Sequence, residues 1–213
     1  EMQEKNETPK SEPYSSDKPN YLPFNTETVS PEDIRATFSQ IASRIKEANI
    51  TKPIEFLVTD QNNNPLAFNR FAFLLKLDLN QEILFLAEEL FSLYAYNDAG
   101  AVRFGLVLDF KDAQTETIAD IIKKTESELP YALRALIIEP NVNIGKKAAF
   151  QSSNHNQFQI RFVNIDIERK ITIDYTLYNN QLFIGTSKET LRAMLDSAIH
   201  PALREEQDQA EKK

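Results

Sequence analysis

The stretches FSLYAYNDAGAVRFGLVLDFKDAQTETIADIIKK (Phe91–Lys124) and KITIDYTLYNNQLFIGTSKETLRAMLDSAI (Lys170–Ile199) share one grammar. Each reads as an alternating strand, an Asn-rich turn, a second strand, a polar cap and an amphipathic helix. In the first, Val102, Phe104, Leu106, Leu108 and Phe110 alternate with Arg103, Gly105, Val107 and Asp109, which predicts a strand buried on one face. Asn97-Asp98-Ala99-Gly100 supplies the hairpin turn, and Asp112 is placed to cap a helix carrying Ile118, Ile121 and Ile122. In the second, Ile171, Ile173, Tyr175 and Leu177 form the apolar face, Asn179-Asn180 the turn, and Gln181 to Gly185 the return strand. Thr186 or Ser187 caps the following helix, with Glu189 placed for a capping box with Thr186. Leu191, Met194, Leu195 and Ile199 give that helix its stripe. Strand-strand-helix repeated predicts an α+β fold: an antiparallel sheet with helices packed on one face, built from two such units.

Upstream, Ser30-Pro31-Glu32-Asp33 is a helix start, combining a capping hydroxyl, proline at the first helical position and carboxylates at the positive end of the macrodipole. Ile34, Phe38, Ile41 and Ile45 then recur at helical spacing, so an N-terminal helix joins the two units. Ile54 to Thr59 reads as a strand, and Asp60-Gln61-Asn62-Asn63-Asn64-Pro65 as a turn. The apolar stretch Phe68 to Leu90 divides at Asp78 and Asn80 into short helices over Asn69–Lys76 and Asn80–Glu88. Tyr131 to Ile138 adds further helical turns, and Glu139 to Gln157 is an exposed loop leading to an edge strand. Phe158 to Ile165 is a strand. Residues 1–29, with Pro9, Pro13, Pro19 and Pro23 among polar residues, read as a disordered linker, although Tyr14, Tyr21, Leu22 and Phe24 give it an apolar patch able to dock. A single domain over residues 30–203 and a disordered charged tail over residues 204–213 complete the chain.

The 213 residues are 41% hydrophobic, enough for one sizeable core. A formal charge of −8 opposes a phosphate backbone, so nucleic acid is not the expected partner. The chain has no cysteine, which removes disulfides, thiolate catalysis and Cys-ligated zinc from the expectations. No run approaches the roughly 20 apolar residues of a membrane span. The sequence opens at Glu1 without an initiator Met, so a membrane anchor upstream is the expected form of any membrane association.

Candidate chemistry is sparse. There are two histidines, His155 in a loop and His200 beside Pro201, neither with a second ligand at metal spacing. Ser152, Ser153 and His155 have the residue types of a nucleophile and base but no glycine-framed elbow. Asp60 and the Asp166/Glu168 pair carry oxygen ligands without a calcium-loop pattern. Asp174, Asp109 and Arg161 read as sheet-surface charges open to cross-strand pairing. No catalytic residue, metal site or cofactor is therefore expected. Tyr94, Tyr96, Arg103, Arg161 and Tyr178 form the one constellation with the character of a binding surface, since tyrosine and arginine combine contact area with a polar handle.

Ile160-Arg161-Phe162-Val163-Asn164, Thr172 to Leu177, and Leu182-Phe183-Ile184-Gly185-Thr186-Ser187-Lys188-Glu189 resemble a family of uncharacterised proteins of small-genome, candidate-phylum bacteria. Phe91 to Asp112 is similar to that family's first unit. The resemblance implies a short cytoplasmic end, one membrane helix, a linker and an external α+β domain. It thus implies an extracytoplasmic location, a tether to the cell membrane and an envelope component or protein as partner, and supplies no reaction. The expected function is a non-enzymatic interaction or structural domain. A carrier or sensor of a small ligand or peptide is the alternative, and a hydrolase drawing on His155 and the sheet carboxylates the second.

Overall fold

The computed structural model describes residues 13–111 and 115–198. The position of Asp112, with its capping role, lies outside them, as do residues 1–12, His200 and the tail from Arg204. Eight strands form one sheet in the order β1-β2-β3-β4-β8-β7-β6-β5. They are β1 (Asn20–Phe24), β2 (Ile54–Asp60), β3 (Ala87–Asp98), β4 (Ala101–Phe110), β5 (Gln151–His155), β6 (Phe158–Asp166), β7 (Ile171–Tyr178) and β8 (Gln181–Gly185). Every neighbouring pair is antiparallel except β1 with β2. Mixed α+β architecture on a largely antiparallel sheet is therefore as the sequence predicts.

Both hairpins of the duplicated grammar form. Ala99 (φ 51°) with Gly100 (φ 93°) turns β3 into β4, and Asn179 (φ 48°) with Asn180 (φ 59°) turns β7 into β8. Two successive left-handed residues make the turn whose twist matches the strands it joins. The Asn97 side chain accepts from the Gly100 N–H at 3.0 Å. The two halves of the sheet meet where β4 runs against β8, with Leu106 opposite Ile184, Val107 opposite Phe183 and Leu108 opposite Leu182.

Five helices cover one face: α1 (Pro31–Glu47), α2 (Phe68–Leu75), α3 (Gln81–Leu86), α4 (Thr115–Thr125) and α5 (Leu129–Ala132). Ser30 and Asp33 complete the capping box of α1 with bonds of 3.1 and 2.9 Å. The α1 stripe Ile34, Phe38, Ile41 and Ile45 is wholly buried, and Phe38 stacks on Phe104 of β4 at 4.6 Å. The second helix of the apolar stretch stops sooner than its composition predicts. Ala87 is extended and pairs with Phe110, because β3 begins there and Leu86 accepts from the Lys111 N–H at 2.9 Å.

The expected one-faced layering holds for these helices; residues 188–198, also helical (α6), depart from it. Leu191, Met194 and Leu195 pack with Val107, Phe158, Ile160 and Phe183, which alternate with the residues of the main core and so lie on the opposite face. β4 is consequently not half-buried. Arg103, Gly105 and Val107 are covered along with Phe104 and Leu106, and on that face only Ala101 and Asp109, near the two ends of the strand, keep partial exposure. The cap also differs from the capping box placed on Thr186. The Ser187 hydroxyl accepts from the Thr190 N–H at 3.2 Å, while the Thr186 hydroxyl is taken by Phe104, accepting from its N–H at 3.0 Å and donating to its carbonyl at 2.8 Å.

The linker boundary needs correction too. Asn20–Phe24 form β1, which adds to β2 in parallel and buries Leu22 and Phe24. Tyr14 sets its ring edge-on to Phe56 at 5.1 Å. Alternating Leu22 and Phe24 supply the burial that a reading for polarity overlooks, and Pro23 is tolerated because β1 is an edge.

Gly105 and Gly185 face each other across the β4–β8 seam, directly under α6. A methyl group on Gly185 would stand 2.8 Å from the Leu191 backbone nitrogen, and one on Gly105 would stand 2.7 Å from the Ile184 carbonyl oxygen. Backbone atoms cannot step aside as a side-chain end can. Gly185→Ala is expected to cost about 1–3 kcal/mol by overpacking, measured by urea unfolding; an unchanged midpoint would show that α6 is not seated this closely.

Candidate functional site

The five residues of the sequence-predicted constellation do not share one surface. Tyr94 and Tyr96 alternate with the core residues Leu93 and Ala95 and therefore lie on the α6 face, where Arg103 is the register partner of Tyr96. Tyr94 packs against the α6 cluster, and its burial, with Glu55 nearby, pushes its hydroxyl above the usual phenol range. Arg103 is buried, pairs with Glu139 and donates to the Arg169 carbonyl at 2.6 Å, so its guanidinium fastens the loop after α5 to the β6–β7 turn. Tyr178 ends β7 edge-on to Phe158 at 5.1 Å and is 38% exposed. Arg161 lies on the other side of the sheet, where it is the register partner of the core residue Tyr175.

There Arg161 lines a cleft. The helical layer reaches only as far as α4, leaving a space of about 620 Å³ between α4 and strands β5 to β7. Thr115, Ala119, Ile122 and Lys123 form the helical wall, and Gln159, Tyr175 and Leu177 the floor. Glu126, just past α4, closes the inner end. Its carboxylate accepts from Arg161 Nε and Nη2, both at 2.7 Å, and from the Tyr175 hydroxyl at 2.6 Å. Arg161 Nη1 also donates to Ser152 on β5 at 2.7 Å. Planar two-point pairing of this kind fixes geometry as well as charge.

The electrostatics follow from those bonds. Burial raises the Glu126 carboxyl pKa, but the hydrogen bonds from Arg161 and Tyr175 outweigh it and leave the group below the ordinary carboxylate value. The Glu126 bond raises Arg161, and burial followed by Glu126 raises Tyr175. Glu126 stays ionised and its two donors stay protonated across the neutral range, so the triad holds a shape and exchanges no proton there. His155 projects to the opposite face and meets Asp196 of α6, Nε2 to Oδ1 at 3.1 Å. Among the described residues no hydrogen bond joins His155 to Ser152 or Ser153.

Other charges also resolve. Asp60 accepts from the Asn62 and Asn64 N–H groups at 2.8 and 2.9 Å, a turn satisfied by its own residues. Asp166 accepts from the Arg169 backbone and side chain at 3.0 and 2.7 Å. Asp109 accepts from Gln181 rather than Arg161. Asp174 is not a surface charge: it is 2% exposed, and its Oδ1 has no hydrogen-bond partner among the described residues. Burial drives its carboxyl up to about 6, against the opposing pull of Thr172, Lys188 and Arg192.

Sequence reasoning missed Glu126 and Tyr175 as site residues, because their meeting depends on where α4 ends over β7. The usable signal was Arg161 itself: a cation on a mid-sheet strand requires a partner, and the end of a helix packed on that strand is where one can come from.

A carboxyl whose folded value lies above its unfolded one penalises the folded state at high pH. For Asp174 that cost is full above about 6 and vanishes as pH falls through 6 towards 3.8. Asp174→Asn is thus expected to raise stability by about 1–3 kcal/mol at pH 7.5 and by much less at pH 4, read from unfolding midpoints of both proteins; a pH-independent difference would contradict the buried charge. Comparison of the chain with protein-family models, curated proteins and solved structures returns no match in any of the three.

Proposed function

We propose that this chain is a non-enzymatic interaction domain that takes an extended polypeptide segment along β5, with side chains entering the α4 cleft. The observation that carries the reading is the difference between the two edges of the sheet. β1 carries Pro23 along its length, whereas β5 (Gln151–His155) has neither a proline nor a Lys, Asp or Glu. Edge strands without such guards present free N–H and C=O groups to an incoming strand. Ser152 and Asn154 alternate onto the cleft side, opposite Arg161 and Gln159. Alternate residues of an added strand would therefore point towards the same face, where Ala119, Ile122 and Leu177 offer apolar contact and Lys123 a cation. The fixed ionisation of Glu126, Arg161 and Tyr175 favours recognition over proton-transfer chemistry.

Selection of phage-displayed random peptides on the domain tests this. Selected peptides are expected to slow amide exchange at Gln151–His155 by at least about tenfold and to lose about 1.4 kcal/mol of affinity against Ala119→Trp, which fills the cleft. Peptides that bind equally to the filled variant and leave β5 exchange unchanged would overturn the reading.

The same proposal sets the domain outside the cell membrane on a single-helix tether, because the residues quoted above resemble proteins so built. Among the described residues no helix is long and apolar enough to cross a membrane. The reading frame is expected to encode an apolar run of about 20 residues ahead of Glu1. The full-length protein should fractionate with membranes and be open to protease from outside. A full-length product recovered with cytosolic proteins and protected from external protease would reject the tether.

A further inference from the structure

A second cleft, of about 490 Å³, lies where the first turn of α1, the end of α2 and the segment from Arg134 to Ile144 meet. Arg35, Lys76 and Arg134 line it, one cation from each of the three. In a chain whose 32 acidic residues outnumber its 24 basic ones, cations brought together are expected to meet carboxylates. These do not: among the described residues none of the three is in an ion pair. Two carboxylates line the cleft, Glu32 and Glu139, and Glu139 is committed to the buried Arg103. The remaining balance is three cations to one acid.

Both guanidinium groups are held in place with donors to spare. Arg35 gives one Nη2 bond to the Ile137 carbonyl at 3.2 Å, and Arg134 gives one Nη1 bond to the Tyr131 carbonyl while lying over the Tyr131 ring, 4.1 Å from its centre. A guanidinium fixed through one N–H keeps the rest of its fork for a planar oxyanion. Lys76 stands in the left-handed conformation (φ 54°) at the end of α2, a position that glycine ordinarily takes. Leu75 and Ile137 add apolar wall.

From this convergence we propose that the α1–α2 cleft is a binding site for a small oxyanion, a phosphate or a carboxylate, held by Arg35, Lys76 and Arg134. It is separate from the α4 cleft and does not depend on peptide binding there.

The test is titration of the folded domain with inorganic phosphate and, separately, with butyrate, each at ionic strength held constant with chloride. The readout is the NMR signals of the Arg35 and Arg134 side chains. Saturable shifts with a dissociation constant in the millimolar range or tighter are expected for at least one probe, and the tighter probe assigns the site to phosphate or carboxylate. Arg35 is exposed on α1, so Arg35→Gln should fold as the parent does and weaken binding by about tenfold. Arg134→Lys, which keeps charge but not the fork, should weaken it by less. Shifts that rise linearly without saturation for both probes, or an affinity unchanged by Arg35→Gln, would overturn the proposal.

Discussion

The close approach of α6 to the β4–β8 seam is the constraint on which the remaining packing depends. Two strands from the two halves of the chain run antiparallel there, and among the described residues the halves share no other strand pairing. Gly105 and Gly185 sit opposite each other at this seam, so no side chain separates the sheet from the Met194 sulfur or the Leu191 backbone. The thioether of Met194 suits such a gap because it is unbranched and polarisable. Leu191, Met194 and Leu195 are each about fully buried, and at roughly 1.5–3 kcal/mol per side chain their burial rivals the net stability of a domain. The second face is thus a second core, and α6 is part of what folds the sheet.

Covering both faces at the centre of the sheet decides where the surface stays open. The helical layer on the first face is thickest over β3 and β4, where α1 and α2 deliver Phe38, Phe68 and Phe71 against Phe104 and Phe91. It thins across β7, and among the described residues no helix lies over β6 and β5 on that face. A sheet face abandoned by its helices must end in polar groups or bury unsatisfied ones. Arg161, Glu126 and Tyr175 perform that closure: each charge meets its opposite, and the phenol donates into the pair. The α4 cleft is in this sense a by-product of the layering, with walls set by the fold and chemistry set by three side chains.

How much of this was legible follows from what period-two reading can know. The hairpins Phe91–Phe110 and Ile171–Gly185 were readable because alternation and Asn-rich turns are local signals. The α6 face was hidden, since Val107 stands alone among Arg103, Gly105 and Asp109 and offers no apolar alternation on that side. β1 was hidden by Pro23 and its polar surroundings. The tyrosine and arginine constellation failed for a sharper reason: alternation sorts residues within one strand, but it cannot relate the faces of two strands until their register is fixed. Tyr94, Tyr96 and Arg103 are tied through the β3–β4 hairpin and share one face, whereas Arg161 reaches them only through β7 and β8, and the register places it behind the sheet.

The same glycine that seats α6 also explains the carboxyl left in the interior. Asp174 is the direct neighbour of Gly185 across β7 and β8, and of Phe162 across β6 and β7. A side chain at position 185 would hold the first turn of α6 away from the sheet and let water reach Asp174. With none there, Lys188, Glu189 and Arg192 of α6 act on the carboxyl at a distance, and burial is the larger effect. A hydrophobic residue at position 174 would suit that cover better, so the acid trades stability at neutral pH for a charge beneath the helix. That charge belongs to the α6 face, whereas Glu126 and Arg161 of the α4 cleft lie on the other.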